Sequence, residues 1–190
     1  MPRIIAGTAR GRRLQAPAGD ATRPTADRAR EALFSALESL VLPWGARTFV
    51  DLYAGSGAVG LEAASRGARE VVLVERDPKA LKVLRSNVDL LDLPSARVEA
   101  SPVERFAAAF SGRRRFDVVF ADPPYDLASN ELGQVLTDLL ASHALADDAV
   151  VVVERRTRDA PWVWPEGFTG LRERAYGEAT LWYGRAAANG

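Results

Sequence analysis

The chain contains no cysteine, a single histidine (His143) and one methionine, and only two of its 25 basic residues, Lys79 and Lys82, are lysines. Without cysteine there are no disulfides, no thiolate zinc sites and no mechanism through a sulfur adduct, which excludes the covalent route to carbon-5 methylation of pyrimidines. One histidine cannot build a ligand cluster, and His143 falls near a predicted helix end as a surface residue, so no metal is expected. The longest aliphatic run, Ala149 to Val153, is far shorter than the roughly 20 residues a bilayer crossing needs. No apolar stretch follows the N-terminus in the manner of a secretory signal, and the cytoplasm is the expected compartment. What remains is ordinary for a globular chain: 190 residues, 47% hydrophobic and 26% charged, enough for one domain with a substantial core. The expected organisation is a single unit over 1–190, with a basic arm (1–24), a helical segment (25–45) and a core (46–190).

Net charge is zero, but its distribution is uneven. Residues 1–30 hold seven arginines (Arg3, Arg10, Arg12, Arg13, Arg23, Arg28 and Arg30) against Asp20 and Asp27. Genome-wide codon bias accounts for arginine over lysine; it does not account for the local shortage of acids. A basic arm on an acidic body is the asymmetry of a nucleic-acid binder.

Two motifs carry the chemistry. The first is Asp122-Pro123-Pro124-Tyr125, directly after the apolar run Phe116 to Ala121. Two prolines fix φ and remove two backbone donors, so the chain leaves its strand as a stiff loop with carbonyls that lack local partners. Asp122 adds an acceptor and Tyr125 a flat face, a combination suited to a nucleobase with an exocyclic amino group. A proline pair alone also serves as a surface turn; the second motif decides between these readings. It spans Phe49 to Gly60, an apolar strand running into Gly55, Gly57 and Gly60 at G-x-G-x-x-G spacing, followed by a predicted helix closed by Gly67. Such a turn lets backbone approach a ligand in front of a helix N-terminus. A second strand, 70–75, ends in Glu75, which stands 18 residues after Gly57, near the spacing of a ribose-binding acid.

NAD and S-adenosylmethionine both use this architecture. Three features favour S-adenosylmethionine: Asp51, inside the strand, suits an ammonium group and faces a pyrophosphate badly; no second half is present to hold a nicotinamide; and the Asp-Pro-Pro-Tyr loop lies where a methyl acceptor is presented.

The pattern along the chain predicts a doubly wound α/β sheet. A helix from about Ala26 to Val41 carries Leu33, Leu37, Leu40 and Val41 on one face. Strands are expected at 48–53, 70–75, 97–100, 116–121 and 149–154, with helices at 57–66, after Asp77-Pro78, and near 130–141. Asp77 is an N-cap before proline, and its helix carries Leu81, Leu84, Val88 and Leu91 inward. Ser101-Pro102-Val103-Glu104 fits a capping box opening a helix with Val103, Phe106, Ala107 and Phe110 inward. Pro161 and Pro165 interrupt the tail, which closes in a hairpin near 170–176 and 179–184.

The chain resembles the bacterial RsmD family, the guanine-N2 methyltransferases of 16S ribosomal RNA. The resemblance covers nearly the whole length: Arg3-Ile4-Ile5-Ala6-Gly7 with Gly11-Arg12-Arg13-Leu14; Thr22-Arg23-Pro24-Thr25 leading to Arg28 and Arg30-Glu31; Asp51 to Gly57 with Gly60-Leu61-Glu62-Ala63; Ser65-Arg66-Gly67-Ala68; Val74-Glu75; Asp122 to Tyr125; and Tyr176-Gly177 before Thr180-Leu181. The cofactor and Asp-Pro-Pro-Tyr motifs belong to many amino-methyltransferases, whereas the Thr-Arg-Pro-Thr segment is family-specific. The resemblance implies a seven-stranded, Rossmann-like methyltransferase sheet, a monomer, and methyl transfer from S-adenosylmethionine to a guanine amino nitrogen of the small ribosomal subunit or its assembly intermediate. It assigns Asp122, Pro123, Pro124 and Tyr125 to catalysis, and Asp51, Tyr53, Ala54, Gly55, Ser56, Gly57, Glu75, Arg76, Ser101 and Asp122 to the cofactor. Arg3, Arg10, Arg12, Arg13, Arg23, Thr25, Arg28, Arg30 and Tyr125 fall to the RNA. Ser101 stands where relatives often carry Asn or Asp, so a serine or backbone contact is expected at the adenine. Other readings of the motifs are a DNA-adenine or protein-glutamine methyltransferase, a non-catalytic RNA-binding module and, more weakly, an NAD-dependent reductase.

Overall fold

The alternation of strand and helix builds one seven-stranded sheet in the computed structural model, which describes residues 2–16, 24–41, 43–111 and 115–188. Helix α1 (Pro24–Val41) leads through a short 3-10 turn to β1 (Thr48–Leu52), α2 (Ala58–Ser65), β2 (Glu70–Glu75), α3 (Pro78–Leu91) and β3 (Ala96–Ala100). The chain continues through α4 (Val103–Ala108), β4 (Phe116–Ala121), α5 (Ser129–Ala141), β5 (Leu145–Arg156), β6 (Phe168–Tyr176) and β7 (Ala179–Ala186). Strand order is β3-β2-β1-β4-β5-β7-β6. The first five strands are mutually parallel, and β7 pairs antiparallel with both β5 and β6. The chain winds outward from β1 to β3 and then returns to place β4 on the other side of β1. Their carboxyl ends therefore flank the crevice where this sheet type binds ligands.

Both faces of the sheet are covered, which explains the near-continuous apolar central strands. One layer packs Leu33, Phe34 and Leu37 of α1, Leu61 of α2 and Leu84 of α3 against Phe49, Leu73, Phe120, Val152 and Tyr183. The other packs Val103 and Ala107 of α4 and Leu132, Val135, Leu136 and Leu139 of α5 against Val50, Val72, Val119 and Val151. The α1 stripe holds Phe34 at its centre, and Leu40, expected on that face, is only partly buried. Asp77 caps α3 as expected, its side chain accepting from Lys79 N and Ala80 N at 3.0 and 2.8 Å.

Two expectations need correction. The capping box at Ser101 does not form: Pro102 is itself the N-cap position, and the Ser101 hydroxyl donates to the Pro102 carbonyl. The Ser101 amide is already bonded to the Glu75 and Glu99 carbonyls, prolonging the β2–β3 ladder. Strand β5 starts at Leu145, before the expected Ala149, because its pairing with β4 slips between Phe116 and Val118 and absorbs the polar residues Asp147 and Asp148 in an irregular stretch. Asp148 takes a left-handed φ of 59° there.

The basic arm packs against the core. Residues 2–16 are docked into the fold, with Ile4, Ala9 and Leu14 buried and Arg3 and Arg13 bridged. The carboxylate of Glu62, fully buried in α2, accepts from the amides of Ile5 and Ala6 at 2.7 and 2.9 Å and from Arg66 at 2.8 Å. The Ser65 hydroxyl accepts from Ala9 N and donates to the Ala6 carbonyl. Gly7, at φ +83°, passes so close that a Cβ there would lie 1.8 Å from the Ser65 carbonyl oxygen. A charged segment becomes part of the core because its backbone donors have a buried acid to meet.

Candidate functional site

The two motifs converge at the β1/β4 switch point. After β1 the chain passes through Tyr53, whose φ of 62° is strained for a bulky residue, and then Gly55 at 57° and Gly57 at 83°. The turn is fixed from three sides. Buried Asp51 accepts from Gly60 N at 2.8 Å, Glu75 accepts from Gly55 N at 2.9 Å, and the buried Asn87 amide donates to the Ser56 carbonyl at 2.8 Å. The glycines serve different ends. A Cβ at Gly57 would sit 2.5 Å from Leu84 Cδ1, so this residue lets α3 pack against the turn, whereas a Cβ at Gly55 would meet nothing within 4 Å and would project into open space. Of the two, Gly55 leaves room for a ligand.

That space is a cleft of about 680 Å³ lined by Tyr53, Glu75, Arg76, Asp77, Val103, Glu104 and the loop Asp122 to Leu127, with Glu131 beyond. A second hollow of about 430 Å³ shares Arg76 and Asp77 and reaches Ser101 and Pro102. The structure thus brings Tyr53, Glu75, Arg76, Asp122, Pro123, Pro124 and Tyr125 onto one cleft and Ser101 onto its neighbour. Ala54, Gly55, Ser56 and Gly57 form the turn beside it. Asp51 does not line either: it is 2% exposed, beneath the turn. Burial, with a smaller push from Asp122 and Glu75 and against the Gly60 hydrogen bond, raises its carboxyl to about 8.

Six carboxylates line the larger cleft against one arginine, a field that favours a cationic ligand. The Tyr53 hydroxyl is buried without a hydrogen-bond partner among the described residues, and burial disfavours its ionisation. It is an orphan donor at the edge of the cleft. Glu75 holds the amides of Gly55, Arg76 and Asp77 and stands where a ribose diol would exchange with those donors. This donor set fits S-adenosylmethionine, a cation with a ribose, better than a dinucleotide.

Tyr125 is 68% exposed. The Arg156 guanidinium lies 5.0 Å from its ring centre and is itself paired to Asp159 at 3.1 Å. Arg155 donates to the Leu127 carbonyl at 3.0 Å. These two arginines from the end of β5 brace the loop, and so does Glu131, which accepts from Ala128 N at 3.0 Å. None of the three was singled out by the motifs. The two arginine braces are invisible in the sequence because they arise from β5 lying beside β4, whereas Glu131 is a local contact in the first turn of α5.

The arginines assigned to RNA are dispersed. Arg3, Arg10, Arg12, Arg13 and Arg28 are exposed. Arg12 donates to the carbonyl of Leu90 at the far end of α3 from Asp77; thirteen residues of helix separate those positions, about 20 Å. The tip of the basic segment therefore lies at the end of α3 away from the Asp77 that lines the cleft. Arg30 is not at the surface: it is 7% exposed and donates to the Arg3 carbonyl at 2.6 Å and to Asp27 at 2.9 Å. Arg23 and the side chain of Thr25 lie outside the described residues.

Comparisons with known proteins agree with this geometry. A family model described as conserved hypothetical protein 95 matches residues 2–185. The ribosomal RNA small subunit methyltransferase D of Escherichia coli K12 is 35% identical over 176 residues, 93% of this chain and 85% of that protein. Its counterpart from Haemophilus influenzae is 35% identical over 179 residues, 92% and 89%. Among solved structures, yhhF from Escherichia coli superposes with a TM-score of 0.84 at 32% identity over 99% of both chains. A hypothetical protein from a Thermus species gives 0.78 at 40% identity over 96% and 98%.

Proposed function

The chain belongs to the RsmD family, and on that premise we propose that it transfers a methyl group from S-adenosylmethionine to the exocyclic N2 amino group of a guanine in small-subunit ribosomal RNA. The observation that carries this reading is the convergence, at the β1/β4 switch point, of an acidic cleft with the Asp122-Pro123-Pro124-Tyr125 loop.

When bound, S-adenosylmethionine supplies a methyl group already activated by a positively charged sulfur, so the protein's task is positioning and charge placement. Glu75 would hold the ribose and the hollow at Ser101 would take the adenine, while the acids of the cleft would favour the sulfonium and ammonium charges. An aryl amine is a poor nucleophile because its lone pair is delocalised into the ring. Asp122 and the Pro123 carbonyl would accept hydrogen bonds from the two amino protons, letting the nitrogen pyramidalise; as the nitrogen–methyl bond forms the methyl–sulfur bond breaks to leave a neutral thioether, and the surplus amino proton goes to Asp122 or water. Tyr125 stacks on the base and fixes the line of attack. These contacts are worth most as the nitrogen rehybridises, so they act on the transition state more than on binding.

Small subunits lacking the mark, incubated with labelled S-adenosylmethionine and the protein, are expected to gain one methyl on a guanine amino nitrogen, located by mass spectrometry of nuclease fragments. Label on an adenine amino group or on a protein glutamine, or none, overturns the reading.

A further inference from the structure

Glu154 belongs to neither motif, yet it stands beside the centre of the proposed chemistry. On β5 it follows Val153, which pairs with Ala121 of β4, so its neighbour across that ladder is Asp122. On its other side it pairs with Leu181 of β7, whose side chain lies in the core layer covered by α1, α2 and α3. Glu154 therefore points to the same face of the sheet as Phe120 and Asp51, which pair across β4 and β1. Its side chain is half-buried, and among the described residues no hydrogen-bond donor or cation is paired with it. Burial, and after it the charge of Asp122, pushes its carboxyl up to about 8. A half-buried carboxyl without donors is costly unless a ligand brings them.

Strand order decides which ligand. The cofactor elements follow β1, β2 and β3, on the opposite side of β4 from β5, so the end of β5 lies beside the Asp122 loop on the side away from them. We propose that Glu154 selects guanine by accepting a hydrogen bond from its ring N1–H, while Asp122 and the Pro123 carbonyl hold the adjacent amino group. The inference rests on the guanine-N2 reading above. Guanine presents N1–H next to its amino nitrogen, a donor that favours the ionised carboxylate; adenine presents a bare N1 lone pair beside its own amino group, which the ionised carboxylate repels, so the discrimination is read above the raised titration point of Glu154. Glu154 takes no proton, and no bond to N1 forms or breaks.

The test compares two acceptors in reconstituted small subunits, guanosine and 2,6-diaminopurine riboside at the target position. Diaminopurine keeps the 2-amino group but carries a lone pair at N1. The wild-type protein is expected to favour guanosine by roughly 10- to 100-fold in single-turnover kcat/KM. Glu154→Ala and the isosteric Glu154→Gln are expected to bring that ratio to within about threefold of one, since a glutamine amide can rotate to serve either N1. Cofactor affinity by calorimetry is expected to stay unchanged in Glu154→Gln, which also carries the test should the alanine variant fold poorly. A wild-type ratio retained by the variants, or no wild-type preference, overturns the inference while leaving guanine-N2 methylation standing. Loss of cofactor affinity in Glu154→Gln overturns it too, by assigning the carboxyl to the cofactor's ammonium. Absence of any methyl on the guanine amino group in the wild-type reaction removes the underlying reading, and the inference with it.

Discussion

In the segment 3–14 the polar groups turn inward: the amides of Ile5, Ala6 and Ala9 are held by Glu62 and Ser65, and three apolar side chains are buried among them. In the Asp122 to Leu127 loop they turn outward, toward the cleft, and what fixes the loop comes from behind it, from Arg155, Arg156 and Glu131. Both segments look like exposed polar chain in the sequence. The difference lies in who supplies the missing partners. The first finds them inside the protein and contributes stability; the second leaves them to a ligand and contributes chemistry.

Substitutions in the two segments should therefore separate cleanly. The largest effect is expected from Glu62→Ala, which strands two amides in the interior and leaves the Arg66 guanidinium with Glu38 as its one carboxylate partner among the described residues. Stability measured by denaturant titration should fall by about 3–5 kcal/mol, with turnover per folded molecule nearly unchanged. Next is Asp122→Ala, for which melting and cofactor affinity should hold while single-turnover methyl transfer drops about a hundred- to a thousandfold. Near-normal turnover would make the loop a surface turn and erase the contrast.

Asp51 sharpens the comparison through pH. Folded, it keeps its proton up to about 8; unfolded, it loses it near 3.8. Between those values the native state binds the extra proton, so stability falls as pH rises. Asp51→Asn is expected to remove a slope approaching 1.4 kcal/mol per pH unit from the stability profile of the cofactor-free protein. Tyr125→Ala should weaken base stacking by about 1–3 kcal/mol, while Tyr125→Phe keeps the ring face and most of the activity. The smallest effect on chemistry belongs to the triple change of Arg10, Arg12 and Arg13 to Ala. It should leave the saturating single-turnover rate intact and reduce the salt dependence of RNA binding by about one unit of slope per lost phosphate contact.

Most of the sheet was legible in the sequence because a parallel, doubly covered strand is apolar on both faces and its punctuation is sharp. Gly55 and Gly57, Asp77-Pro78 and Asp122-Pro123-Pro124 each mark a strand or helix end. The same holds for the cleft-lining residues, which follow strand ends directly. What was not legible depends on contacts between distant segments. Ile4 and Leu14 are isolated apolar residues in a basic run, and only the buried Glu62 reveals that the run is docked. Arg30 reads as one more cation of a binding arm until its bond to the Arg3 carbonyl places it inside. Ser101-Pro102 and Asp77-Pro78 look alike, but the Ser101 amide is committed to the sheet, and local pattern cannot report that commitment. Glu154 had no signal beyond being an acid at the end of an apolar strand. Its meaning comes from the β4–β5 register.

Strand β6 carries a consequence for how the molecule behaves among its own copies. Seven of its nine residues are exposed and it ends the sheet, so its outer backbone is a ready template for another chain. Its middle reads Arg172-Glu173-Arg174. A second copy laid antiparallel about Glu173 sets arginine against arginine on both sides and glutamate against glutamate between them, each a repulsive cross-strand pair. In that register the triplet disfavours pairing of two copies along the open edge.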